Sequence, residues 1–170
     1  TKLGIGSAHK FALRWAYKNN YKTIITMDCD GTHNPKTIKA MFKYIRTNDL
    51  VLTTRFKNKK SIRSWPFKRI FITHMRYYLV RFFLGTELDS SGGFRLYDLN
   101  KIKLNDILLA KDNHYNFFWE STFLLELKKY QLYEIPIMLP NRTIGASKMR
   151  FKDIINGVFY LLVIFIRFRL

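Results

Sequence analysis

Two carboxylates one residue apart, Asp28 and Asp30, close a short apolar run of Thr23, Ile24, Ile25, Thr26 and Met27. Such a run reads as a strand, and it delivers its last residue to the edge of a sheet. In open α/β sheets, ligands gather outside the carboxyl ends of the strands. Acids at i and i+2 of an extended chain point to the same side, so Asp28 and Asp30 can grip one hard cation together. A divalent ion held by two carboxylates keeps coordination positions for phosphate oxygens. The competing reading makes Asp30 a cap of the helix that follows Pro35. Cations gather at the same edge: Arg55 after a second strand, Arg69 early in a helix, and Arg142 and Lys148 in the loop 141–148. Arginine forks onto phosphate and lysine supplies a point charge. An acid pair with several strand-end cations fits a substrate that carries more than one phosphate.

Other chemistries find little support. His9, His33, His74 and His114 lack the short spacing of a zinc site, and Cys29 has no partner cysteine. His33 is expected either to touch a cation or phosphate, or to sit on the loop surface. No Ser-His-Asp or Gly-x-Ser-x-Gly arrangement is present. Ser90-Ser91-Gly92-Gly93 is not followed by the Gly-Lys-Ser/Thr of a phosphate-binding P-loop. If a hydroxyl were the nucleophile a base would be required, and Asp89 and Glu120 are the candidates.

The elements that must position these groups alternate. A helix over 7–19 with Ser7 as its cap precedes the strand ending at Asp28. A helix opens at Pro35 and runs to about residue 46, and a buried strand over 49–55 follows. Helix, strand, helix, strand in this order predicts right-handed crossovers and a parallel sheet. A long basic and aromatic segment runs from Trp65-Pro66 to residue 84, where Gly85 stops it. A tight loop over 89–93 feeds a short strand over 94–97, a helix spans 116–130, and 132–138 is an edge strand interrupted by Pro136.

With 170 residues the chain has room for one domain with a real core. Its 48% hydrophobic and 16% aromatic content excludes a disordered chain. The formal net charge of +18 implies a polyanionic partner: nucleic acid, an anionic membrane surface or phosphorylated substrates. One cysteine excludes an internal disulfide and suits a reducing compartment. The first residues are amphipathic and do not form the apolar run of a secretory signal. Residues 154–166 are almost wholly apolar, yet about thirteen residues fall short of the roughly twenty that span a bilayer. They read as an interfacial helix with basic flanks. The segment 57–83 reads either as a stacking surface for single-stranded nucleic acid or as an amphipathic surface on a membrane, with Trp65, Tyr77 and Tyr78 at headgroup depth. The apolar C-terminal helix favours the membrane.

Taken together these pieces resemble the inverting family-2 glycosyltransferases that act on polyprenol phosphates, above all dolichyl- or polyprenyl-phosphate mannosyltransferases. The likeness rests on Leu3-Gly4-Ile5-Gly6-Ser7-Ala8, Met27-Asp28-Cys29-Asp30-Gly31-Thr32-His33-Asn34-Pro35, Thr54-Arg55-Phe56 and Trp65-Pro66-Phe67-Lys68-Arg69. It continues in Gly92-Gly93-Phe94-Arg95-Leu96-Tyr97, in Glu134-Ile135-Pro136-Ile137, and in Arg142, Gly145, Ser147, Lys148 and Met149. The resemblance implies a GT-A, Rossmann-like α/β fold with a largely parallel sheet. It implies a catalytic domain over 1–150, whose N-terminal nucleotide-binding strand and Asp-Asp-Gly-Ser segment precede the first residue, and a membrane-associated helix over 151–170. It assigns Asp28, Asp30 and Thr32 to Mg²⁺ or Mn²⁺, with Thr32 where relatives carry Gln or Ser. Arg55, Arg69, Arg142 and Lys148 go to donor and lipid phosphates, and Asp30, Arg55 and Arg142 to catalysis. Phe118 stands where relatives often carry Gln. The implied reaction transfers a hexose, mannose from GDP-mannose first, to a polyprenyl (dolichyl) phosphate. UDP-glucose or another donor, a glycan hydroxyl as acceptor, and an inactive membrane-binding remnant stand as alternatives. The implied place is the cytoplasmic face of a membrane, peripheral or monotopic. The implied partners are nucleotide sugar, polyprenyl phosphate and anionic lipid, with room for a membrane-anchoring subunit and none for nucleic acid.

Overall fold

A computed structural model describes residues 2–58, 60–140 and 151–169. Ten elements follow in order: α1 (Ile5–Lys18), β1 (Thr23–Thr26), α2 (Thr37–Tyr44), β2 (Leu50–Thr54), α3 (Phe67–Leu84), β3 (Arg95–Asp98), α4 (Leu104–Ile107), α5 (Asn116–Leu127), β4 (Leu132–Pro136) and α6 (Phe151–Arg169). The α/β class, the C-terminal helix and the edge position of β4 match what the sequence implies. Short α4 was not anticipated.

The sheet is mixed, with strand order β1-β3-β2-β4. β3 is antiparallel to both β1 and β2, while β2 and β4 pair in parallel. Three strands therefore point one way, as a largely parallel sheet requires. β1 and β2 are nevertheless not neighbours, because reversed β3 lies between them. The connection from β2 to β3 starts and ends at the same sheet edge, so it is not a crossover, and its helix α3 lies at that edge. Consequently the residues after β1 and β2 and the residues before β3 meet at one place. Thr26 and Leu52 both pair with Arg95, the first residue of β3.

Period-2 alternation sorts the core. Leu50, Leu52 and Tyr97 face a cluster built on α1, α3, α5 and α6, whereas Val51, Phe94 and Leu96 face Met41 of α2 and Ile45 just after it. A third, smaller cluster joins Ile62 and Trp65 to Ile137 and Leu139. Trp65 is thus buried, and its indole N–H donates to the Leu139 carbonyl at 2.9 Å, which removes it from the expected headgroup position. The start of α1 also differs from expectation. Its cap residue is Gly4 with φ +98°, and a Cβ there would stand 2.2 Å from the Asn113 carbonyl, so Ser7 lies inside the first turn. Gly85 ends α3 as expected, in the left-handed conformation, with its N–H on the Arg81 carbonyl at 2.8 Å.

Arg95 points into the larger cluster and is fully buried. Its Nε donates to the Gly92 carbonyl at 2.8 Å, and its Nη2 to the carbonyls of Ser90 (2.7 Å) and Phe118 (2.8 Å). Its Nη1 reaches Ser121 Oγ at 3.1 Å. One side chain thereby ties the loop before β3 to α5. Arg95→Met should lower the unfolding free energy by about 3 kcal/mol or more, through buried carbonyls left without a donor. Urea denaturation followed by circular dichroism measures it, and a loss below about 1 kcal/mol would show that other donors satisfy the carbonyls.

Candidate functional site

A cleft of about 450 Å³ opens at the edge where these loops meet. Asp28, Thr32 and His33 line it from the β1–α2 connection, Arg55 from the end of β2, and Lys68, Arg69, Thr73 and Arg76 from α3. Ser91, Gly92 and Gly93 line it from the loop before β3, and Phe118 from α5. Gly93 carries no side chain where a Cβ would stand 3.5 Å from Asp28 Oδ1 and from the Phe118 ring, so bare backbone flanks the carboxylate.

The acidic wall is set by a short turn. The Asp28 N–H donates to His33 Nδ1 at 2.9 Å, and the His33 ring lies 5.0 Å from that of Phe94. His33 is therefore a buried anchor of the turn and not a loop-surface residue. Asp30 Oδ1 accepts the Thr32 N–H at 3.1 Å and the Thr32 hydroxyl at 2.7 Å, across Gly31 with φ +77°. Asp30 thus braces this turn, and the cap position of α2 is Lys36, without a side-chain cap. Of the three expected cation ligands, Asp28 and Thr32 face the cleft while Asp30 is bonded to Thr32. Two carboxylates and a hydroxyl are hard oxygen donors and fit Mg²⁺ or Mn²⁺. Among the described residues no group of three His, Cys, Asp or Glu side chains is placed to hold a metal ion.

The opposite wall is cationic and more tightly organised than its sequence indicates. Arg55 is buried, and its guanidinium forks onto Asp89, with Nε to Oδ2 at 2.8 Å and Nη2 to Oδ1 at 3.2 Å. The Arg55 backbone N–H adds a third bond to Asp89 Oδ2 at 3.0 Å. Expected as a phosphate ligand, Arg55 already holds a carboxylate. Burial pushes the Asp89 carboxyl up, but the charge and hydrogen bonds of Arg55, with Arg76 behind them, outweigh it and hold Asp89 below the ordinary carboxylate range. Ser91 Oγ accepts from Arg55 Nη2 at 3.0 Å and from Arg76 Nη2 at 2.8 Å, and donates to Asp89 Oδ1 at 3.0 Å. Burial and then the neighbouring Arg55 lower the Arg76 pKa to about 10, so it stays charged at neutral pH. Arg69 lies over the Trp65 ring at 3.5 Å, a cation–π contact at the cleft wall. Behind the cluster, Glu134 of β4 accepts the Asp89 N–H and pairs with Lys57 at 3.3 Å, so Lys57 is not a free surface charge. Burial raises the Glu134 carboxyl.

Arg142 and Lys148 lie outside the described residues. Neither candidate base lines the cleft. Asp89 is held by Arg55, and Glu120, fully buried, accepts the N–H groups of Lys111 (2.9 Å) and Asp112 (3.0 Å) and the Tyr160 hydroxyl (3.0 Å). Arg76 and Ser91 are the site residues that sequence reasoning missed. A signal was present, because Arg69, Thr73 and Arg76 stand at i, i+4 and i+7 and share one face of α3. The other face of α3 carries Phe67, Phe71, Tyr78 and Phe82, all exposed. α6 packs beside it, with Phe83 and Phe165 ring to ring at 5.3 Å, and exposes Ile155, Phe159, Leu162 and Ile166. Among the described residues no helix is long and apolar enough to cross a membrane.

Comparison with known sequences bears on this cleft. The sequence model of the family described as Glycosyl transferase family 2 matches residues 1–103. The chain is 30% identical over 150 residues to the undecaprenyl-phosphate mannosyltransferase of Micrococcus luteus, an alignment covering 88% of this chain and 62% of that protein. It is 26% identical over 161 residues to the polyprenol monophosphomannose synthase of Mycolicibacterium smegmatis, covering 94% of this chain and 61% of that protein. The chain thus spans about three fifths of the length of the curated relatives it matches. With the family model matching well over half of its residues, the chain belongs to glycosyl transferase family 2.

Proposed function

We propose that this chain carries the catalytic cleft of an enzyme that transfers a hexose, mannose from GDP-mannose, to a polyprenyl (dolichyl) phosphate with inversion at the sugar. One observation carries the reading: a single cleft sets Asp28 on one wall and Arg55, Arg69 and Arg76 on the other. Two anionic substrates need this division. Asp28 and Asp30, with Thr32 beside them, would hold Mg²⁺ or Mn²⁺ at the donor diphosphate. A cation there supplies charge neutralisation to the departing diphosphate. Asp30 fixes the turn that places Thr32 in the cleft wall. The guanidinium wall takes the acceptor phosphate and offsets its repulsion from the donor. Arg142 and Lys148 are assigned to the same phosphates from the sequence alone. A phosphate monoester has a second pKa near 6, so it is already an anion at neutral pH and attacks without a general base. The engagement of Asp89 by Arg55 and of Glu120 by backbone N–H groups agrees with that. The names of the two relatives support the polyprenyl acceptor and the mannosyl group.

The apolar faces of α3 and α6 would lie on the cytosolic membrane surface, with the exposed Lys60 and Arg63, which precede α3, offered to anionic lipid. Residues 1–150 would then be the catalytic part and 151–170 the membrane-associated helix.

Two expectations follow. Asp28→Asn and Asp30→Asn should each reduce transfer of radiolabelled mannose from GDP-mannose to polyprenyl phosphate by about 100-fold or more, as loss of transition-state charge stabilisation does. Excess chelator should do the same, and full activity in both variants or in chelator would overturn the cation assignment. Separately, Phe71→Ser with Phe82→Ser should weaken sedimentation with anionic vesicles by about 10-fold or more, since each buried phenyl ring contributes roughly 1.5–3 kcal/mol. That loss should persist at high salt, whereas neutralising Lys60 and Arg63 should matter mainly at low salt. Unchanged vesicle binding in the phenylalanine variant would remove these helices from the membrane.

A further inference from the structure

The sheet separates two surfaces of different character. α3 and α6, with their exposed apolar faces, belong to the cluster on one side of it, and α2 covers the other side. α2 and the turns that flank it carry Lys36, Lys39, Lys43 and Arg46 at intervals of three, four and three residues, the repeat of a single helix face. All four are exposed, and none lines the cleft. Among the described residues, none of the four forms an ion pair with a carboxylate. No Asp or Glu occurs in the sequence between Asp30 and Asp49. By helical position the exposed Phe42 borders this row on one side, and on the other the Tyr44 ring stacks on that of Tyr133 at 4.3 Å.

Such a row opposes the helix that bears it. Like charges three and four residues apart repel one another. Cations at the start of a helix also oppose its dipole, and α2 has neither a side-chain cap nor an acidic residue in its first turn to offset that. Met41 and Ile45 bury the inner side of α2 against the sheet, so packing holds the helix in spite of its outer face. Local rules broken on an exposed face, above a well-formed core side, mark a surface shaped for something outside the chain.

We propose that the outer face of α2 docks an acidic segment of a partner polypeptide, whose carboxylates meet the four cations and whose apolar side chain covers Phe42. Charge complementarity requires an anionic occupant. The sheet removes one anionic candidate, because a chain lying on lipid through α3 and α6 keeps α2 on the far side; that step alone rests on the proposed membrane contact. The repeat and the residue types favour polypeptide over nucleic acid. Intervals of three and four match carboxylates on a second helix, with Phe42 as an apolar anchor beside them. Three of the four cations are lysines, which lack the fork that suits arginine to phosphate.

Fluorescence anisotropy with the full chain tests this. The probe is a labelled helical peptide with Glu at intervals of three and four and a Leu beside them, and the same peptide with Gln for Glu is its control. The Glu peptide should bind about 10-fold or more tighter than the Gln peptide. Replacing Lys36, Lys39, Lys43 and Arg46 together by Gln should remove that advantage. Replacing Lys2, Arg14, Lys18 and Lys22 by Gln, an equal loss of exposed charge around α1, should leave it intact. Phe42→Ser should abolish the part of the binding that survives high salt. Circular dichroism checks folding, and Lys39→Gln with Lys43→Gln decides the matter if the fourfold α2 variant does not fold. Equal weakening in the two fourfold variants would reduce the binding to net charge and overturn the docking face. A single-stranded oligonucleotide that binds tighter than the Glu peptide, through the same four residues, would overturn the polypeptide assignment. Loss of sedimentation with anionic vesicles in the α2 variant would give the face to lipid and overturn it likewise. Sugar transfer should be unchanged in the α2 variant, and a chain that binds the Glu peptide through α2 but transfers no sugar would sink the proposed function and leave this face standing.

Discussion

A single buried guanidinium holds the site loop in place. Arg95 gives its hydrogens to the carbonyls of Ser90, Gly92 and Phe118 and to the Ser121 hydroxyl. Carbonyls at a sheet edge would otherwise need water or further strand pairing. Because Arg95 satisfies them from inside, the loop 89–93 can turn back sharply and leave Gly92 and Gly93 as the bare floor of the cleft. The same loop delivers Asp89 to Arg55 and Ser91 to both Arg55 and Arg76. Without that fixed loop the cationic wall would be a set of mobile surface side chains, each held at an entropic cost.

The electrostatics of this loop's cluster then follow from three cations linked to two carboxylates, with one cation in excess. Lys57 pairs with Glu134, Glu134 accepts the Asp89 N–H, Asp89 holds Arg55, and Ser91 links Arg55 to Arg76. Each inner charge has a counter-charge or a hydrogen bond, as buried charges require. The excess is left at Arg76, facing the cleft, opposite the Asp28 carboxylate. A preorganised wall of this kind loses little on reorganisation when an anion arrives, which is where electrostatic stabilisation gains its strength.

Much of this was legible in the sequence, for identifiable reasons. The run ending at Asp28 is read from composition and period, and the helices over Phe67–Leu84 and Asn116–Leu127 from apolar spacing and the Gly85 stop. Strand direction is not encoded in a strand's own residues, so the reversal of β3 and its insertion between β1 and β2 could not be read locally. That reversal is also why Asp89 and Ser91 reach the edge that Asp28 and Arg55 occupy. Arg76 was hidden by the exposed phenylalanines of the same helix. They mark α3 as lipid-facing, and the polar triplet on its opposite face shows its purpose only once α3 lies over the cleft. Trp65 and His33 carry side chains that suit an interface or a ligand site equally well. Their burial depends on Leu139 and Phe94, which are distant in sequence.

The claim on which the account rests is that the acidic wall holds the donor diphosphate through one cation. Titration of Mn²⁺ against the chain, followed by electron paramagnetic resonance with and without GDP, tests it most directly. The account predicts weak Mn²⁺ binding alone, with Asp28 and Asp30 as its carboxylates, tightened about 10-fold or more by GDP, and by linkage the same gain in GDP affinity when Mn²⁺ is present. Mn²⁺ affinity that is the same with and without GDP would contradict it.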